Sequence, residues 1–98
     1  MKPRKFINYE KESLIKLIKS LQSKFDSHEF ITLFSEIYKT HYDNFLNLYM
    51  DDSHRKVHQQ IALGLVDNMD YFKIDKNGKV KSLNIFGFNN KNEEWIKL

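Results

Sequence analysis

The chain is predicted to be an α+β protein in which helices come first and a small antiparallel sheet comes last. Two observations carry this expectation. From residue 9 to about 66, apolar side chains recur at the three- and four-residue spacing of helices. After residue 70 that spacing gives way to short strand-like runs separated by turns rich in Asn and Gly. A third observation sets the scale: 98 residues with no cysteine, no internal repeat and no linker make a single domain, 1–98. Its core is modest, and it needs neither a disulfide nor a metal to fold.

Taken in order, residues 9–26 read as one amphipathic helix. Leu14, Leu17, Ile18, Leu21 and Phe25 form its stripe, with Lys16, Lys19 and Ser23 on the far side. Asp26-Ser27-His28-Glu29 then offers a capping box, which predicts a second helix over 28–39 with Phe30, Leu33, Phe34, Ile37 and Tyr38 inward. Thr40 can cap a third over 41–50, packed through Tyr42, Phe45, Leu46, Leu48 and Tyr49. Asp51-Asp52-Ser53 interrupts the pattern, and Ser53 is a natural N-cap for a fourth helix over 54–66. Gly64 and Asp67-Asn68 mark its expected end. Strands follow at 71–75 and 79–86, joined through the turn pair Asn77-Gly78, and 94–98 closes the sheet after the loop GFNNKNE.

Charge is distributed unevenly. The net charge is +3, but residues 1–26 carry seven basic against three acidic side chains, 27–52 one against five, and 53–98 eight against five. An acidic partner would be drawn to the flanks and not to the middle, although a scattered lysine surface on an ordinary domain has the same arithmetic. No apolar run is long enough to span a bilayer, and MKPRKFINYE lacks the apolar stretch of a secretory signal. The expectation is a cytoplasmic protein without membrane contact.

The stretches SHEFITLFSEIY, HRKVHQQIALGL and KVKSLNIFGFNNKNEEWIKL, in that order, resemble the winged helix-turn-helix family over residues 27–98. The resemblance lies in element order, since the family has no diagnostic motif. It implies a winged-helix-like core behind an added N-terminal helix at 1–26. It also implies a recognition helix at 54–66 set into the major groove of double-stranded DNA, with a wing tip at 88–93 on the adjacent backbone. The connection MDDSH is longer than the family's usual tight turn and brings in two acids.

On a helical wheel, Val57, Ile61 and Leu65 share the inner face of residues 54–66. Arg55, Lys56, Gln59 and Gln60 lie opposite, where Arg and Lys can meet phosphates or guanine edges and Gln can pair with adenine. From the wing, Lys79, Lys81, Asn90 and Lys91 are the candidate backbone contacts. An ordinary solvated face and turn would use the same residue types. Leu63 and Val66 sit on the supposedly exposed side and ask for a neighbour. His54 and His58, one turn apart, invite a metal, but zinc needs three or four ligands and no third is apparent; both read as helix-start and core residues. Phe86, Phe88 and Trp95 read as core more than as stacking platforms.

No glycine-rich phosphate loop, serine elbow or placed carboxylate pair appears, so no enzymatic activity and no cofactor is expected. The helix at 9–26 must bury its stripe, either in its own domain or in a homodimer. The expected function is a non-enzymatic DNA-binding module, a small regulator or target-recognition piece. The alternative is a protein-binding module on the same fold, such as an inhibitor or assembly factor of phage or mobile-element type.

Overall fold

The first helix of the computed structural model, which describes residues 1–98, is α1 (Pro3–Tyr9). Pro3 occupies its first turn, where a missing N–H costs nothing and a fixed φ helps. Glu10 leaves helical geometry at ψ 14°, and α2 (Lys11–Ser20) starts on a new axis. Leu21 is extended, with ψ 160°, and the chain enters the short strand β1 (Lys24–Asp26). The single helix expected over 9–26 is therefore corrected to parts of two helices and a strand. Phe25 has the right spacing for the stripe, yet it reaches the core, at 1% exposure, from an extended backbone. Pairing with a distant strand overrides local periodicity here, as β1 lies antiparallel to residues 94–96 with Phe25 opposite Trp95.

The capping box holds. Asp26 Oδ1 accepts the Glu29 N–H at 2.9 Å, and Glu29 Oε1 accepts the Asp26 N–H at 3.3 Å, opening α3 (Ser27–Ile37). Phe30, Ile31 and Phe34 are buried, whereas Ile37, expected inward, is 58% exposed. One residue, Tyr38, separates α3 from α4 (Lys39–Leu46), so Thr40 lies inside the first turn and is not a cap. The early start ends α4 before Leu48, which stays exposed while Tyr42 and Phe45 are buried.

The longest helix is α5 (Ser53–Asp67), with Val57, Ile61, Gly64 and Leu65 buried. Asp52, at φ 54°, turns the chain in, and Ser53 is already helical and so is not the N-cap. Gly64 does not end the helix. It lies where α1 crosses α5, and a Cβ there would stand 2.6 Å from the Ile7 Cβ. Asn68 does stop it, its side-chain amide donating to the Gly64 carbonyl at 2.9 Å.

A short helix, α6 (Met69–Phe72), replaces the start of the strand expected at 71–75. Lys73 turns at φ 55° into β2 (Ile74–Leu83). Asn77-Gly78 is not the hairpin turn: it sits within β2 at a break in register between Lys76 and Lys79, with Gly78 at φ 87°. The turn falls at Asn84–Phe88, where Gly87 takes φ 81° and Asn84 Oδ1 accepts the Phe86 and Phe88 N–H groups at 2.9 and 3.1 Å. Residues 89–93, expected as the wing tip, belong instead to β3 (Asn89–Lys97). The sheet order β1-β3-β2 puts β3 in the middle.

Helices and sheet share one core of 17 buried residues, with Trp95 the largest. Phe6 of α1 meets Phe34 and Phe45 edge-on at centroid distances of 6.0 and 5.3 Å, and α2 contributes Leu14, Leu17 and Ile18. Of the two places open to the stripe of residues 9–26, its own domain or a second copy, Leu14, Leu17, Ile18 and Phe25 take the first. No helix is long and apolar enough to cross a membrane.

Candidate functional site

The turn at 84–88 brings the end of the β2–β3 hairpin against the N-terminal half of α5. Phe86 makes the contact: its ring stands edge-on to His54 at 4.4 Å and stacks over His58 at 6.1 Å, tilted by 11°. Helix and hairpin enclose an open cleft of about 680 Å³.

Five of the eight residues predicted from sequence line this cleft: Arg55 and Gln59 from α5, and Lys79, Asn90 and Lys91 from the hairpin. Lys56 and Gln60 do not. Each lies 100° further round α5, on the side toward α4 and α1. The Lys56 ammonium lies 5.8 Å from the centre of the Tyr49 ring, and Gln60 donates to the Tyr49 hydroxyl. The four helix residues expected to present one outward set are thus split between two faces. Lys81 stands directly opposite Lys91 in the ladder, which puts both side chains on one side of the hairpin.

Two carboxylates temper the positive charge. Arg55 Nε is 2.5 Å from Asp52 Oδ2, and the Lys76 and Lys79 ammonium groups are 3.9 and 3.7 Å from Glu93 Oε1. These pairs are solvent-exposed on their basic side and each contributes little to stability. Lys81 and Lys91 have no carboxylate partner within ion-pair distance. Like charges facing across a ladder repel, so this part of the hairpin favours an anion.

The histidines form the back of the cleft. Burial, with the charges of His54 and His28 adding to it, pushes His58 down to about 4, so its ring is neutral near pH 7. Burial and then Asp43 push Tyr42 up to about 12. Tyr42 therefore keeps its proton, and its hydroxyl shares a hydrogen bond with His58 Nε2 at 2.6 Å whose direction follows the imidazole tautomer. His28 is tied elsewhere, with Nδ1 2.8 Å from the Ser82 hydroxyl and its backbone N–H donating to Asn92 Oδ1 at 2.9 Å. No three His, Asp or Glu side chains are placed to share a metal ion.

Sequence reasoning missed Lys76, Phe86 and Asn92 as parts of this site. Lys76 was readable as one more basic residue of the hairpin. Phe86 became identifiable only once the turn was located around it. Asn92, whose amide also donates to the Val80 carbonyl at 3.1 Å, resembles any loop asparagine until β3 is known to include it.

Against models of protein families, curated proteins and solved structures, the chain finds no match. The functional reading rests on the cleft itself.

Proposed function

We propose that the chain is a non-enzymatic DNA-binding module of winged-helix type that grips the sugar–phosphate backbone between α5 and the β2–β3 hairpin. One observation carries the reading. Arg55 and Gln59, and the more distant Lys79, Asn90 and Lys91, line a single cleft whose hairpin wall continues to an unneutralised Lys81. Cations and amides on facing walls suit phosphate oxygens, which position a nucleic acid without reading its sequence. Helices followed by a hairpin with a basic wall also keep the element order on which the family resemblance rests.

The test is retention of random-sequence DNA, both as duplex and as separated strands, on immobilised protein while salt is raised. Retention should fall steeply with salt. Lys79→Glu with Lys91→Glu should lower the slope of log K against log salt by about 0.7 to 0.9 per lost phosphate contact. If neither form of DNA is retained at low salt, the reading fails.

A protein partner is the second reading, and Asp52 and Glu93 favour it because they already neutralise part of the basic wall. A partner bearing both charge signs would match such a surface. Binding that resists salt and ignores DNA would support it.

A further inference from the structure

We infer that the DNA taken by this site is single-stranded, and that its path continues from the hairpin cleft across Leu63 to Lys2 and Lys5 at the start of α1. The inference deepens the DNA-binding reading and rests on it.

The shape of α5's surroundings favours one strand over two. A helix that reads the major groove must protrude, because it enters a channel roughly 12 Å wide. Here the exposed side of α5 is recessed. The hairpin turn touches its N-terminal half through Phe86, and the start of α1 flanks its C-terminal half, where Arg4 and Lys5 line a cleft with Gln60, Leu63 and Asp67. A duplex meets the rims of such a trough, whereas one strand can lie in it.

The chemistry of the cleft favours one strand as well. Exposed aromatic rings stand in the hairpin turn: Phe86, which lines the cleft with Lys91, is 46% exposed, and Phe88, two residues on and outside the cleft lining, is 67% exposed. The floor of the cleft includes the half-buried Ala62, Leu63 and Val66. Cationic rims, an apolar floor and open ring faces are the combination that holds unpaired bases, because every base has a face to stack and every linkage a phosphate to neutralise. In a duplex those faces are already used.

The path follows from a second cleft of about 810 Å³, on the other side of α5, which shares Leu63 with the first. Lys2, Arg4, Lys5 and Gln60 line it. Its one carboxylate, Asp67, is occupied by Arg4, with Nε and a terminal nitrogen 2.6 and 2.7 Å from its two oxygens. Lys2 and Lys5 have no carboxylate partner within ion-pair distance and remain available to phosphate. Half-buried Leu63 is the saddle between the two clefts, which accounts for an apolar residue on the side of α5 that the wheel leaves to solvent.

The experiment is fluorescence anisotropy with a labelled oligothymidine of about twenty nucleotides and a random duplex of equal length, each titrated at several salt concentrations. The single strand should bind at least about tenfold more tightly than the duplex. Phe88→Ala should cost about tenfold on the single strand and little on the duplex. Lys2→Glu with Lys5→Glu should reduce the single-strand salt slope by about 1.4, at about 0.7 per phosphate. All three side chains are exposed, and far-UV circular dichroism checks that the variants fold. A duplex bound as tightly as the strand overturns the inference and leaves the DNA-binding reading standing. A slope unmoved by the α1 variant overturns the path. Failure to bind either probe overturns both readings together.

Discussion

Gly64→Ala is the sharpest test of the packing that holds the two clefts apart. Two effects oppose each other. Replacing a glycine inside a helix by alanine ordinarily stabilises by about 0.8–1 kcal/mol, since less backbone entropy is lost on folding. Here the new methyl would lie 2.6 Å from Ile7 Cβ and 2.8 and 2.9 Å from its Cγ1 and Cγ2. Those atoms begin a β-branched side chain that is fully buried and cannot swing aside without moving α1. Overpacking of this kind costs about 1–3 kcal/mol, and contact with a Cβ belongs at the upper end. The net expectation is a loss of about 2 kcal/mol. At about 4–8 °C per kcal/mol for a domain of this size, the thermal midpoint should fall by about 8–16 °C. Circular dichroism melts and urea unfolding measure it. The same change in an Ile7→Ala background should cost less, because two of the three close contacts are gone. An unchanged or raised midpoint, or strict additivity of the two substitutions, would refute the crossing of α1 on α5 at this residue.

Acid should destabilise the protein through His58. Its folded value of about 4 lies below the 6.5 of an unconstrained histidine, so the unfolded state binds the proton first. The stabilisation is complete above pH 6.5 and is lost as pH falls from there toward 4. From 6.5 − 4 at about 1.36 kcal/mol per unit, the loss is up to about 3 kcal/mol. Urea unfolding at pH 7, 5.5 and 4.5 reads it, and a His58→Gln variant showing the same slope would remove His58 as the cause. Trp95 is the one tryptophan and is fully buried, with Nε1 donating to the Ser27 hydroxyl at 3.0 Å. Its emission should be blue-shifted and should move to the red on unfolding. Trp95→Ala should cost about 3–5 kcal/mol, much of the stability such a domain has.

What could be read from the sequence was whatever depends on neighbours in the chain. Asp26 and Glu29 are three residues apart, and their reciprocal cap appears as expected. The stretches around 28–39 and 54–66 are helical because their apolar spacing is internal to each. What escaped depends on partners far away. Phe25 belongs to a strand only because Trp95 is there to pair with it. Asn77-Gly78, a strong hairpin signal in isolation, became a bulge because the side-chain amide of Asn84 closes a turn seven residues later. Gly64 reads as a helix stop unless Ile7 is known to pack against it. For the site, Arg55, Gln59, Lys79, Asn90 and Lys91 were identifiable by residue type. The helical wheel could not show that Lys56 would turn to Tyr49, since that depends on where α4 ends.

The central position of β3 bears on how the protein is made. A ribosome delivers β1 and all six helices well before the strand that joins them to β2. Lys24 waits for Ile96, roughly seventy residues downstream, and the cavity that Trp95 fills stays open until then. During synthesis the nascent chain therefore carries an unsealed apolar interior, and its final tertiary closure is a late, long-range event rather than a progressive one. A truncation just before Trp95 would remove that side chain and the part of β3 that pairs with Lys24 and Phe25, leaving helices that form locally but have little to close upon.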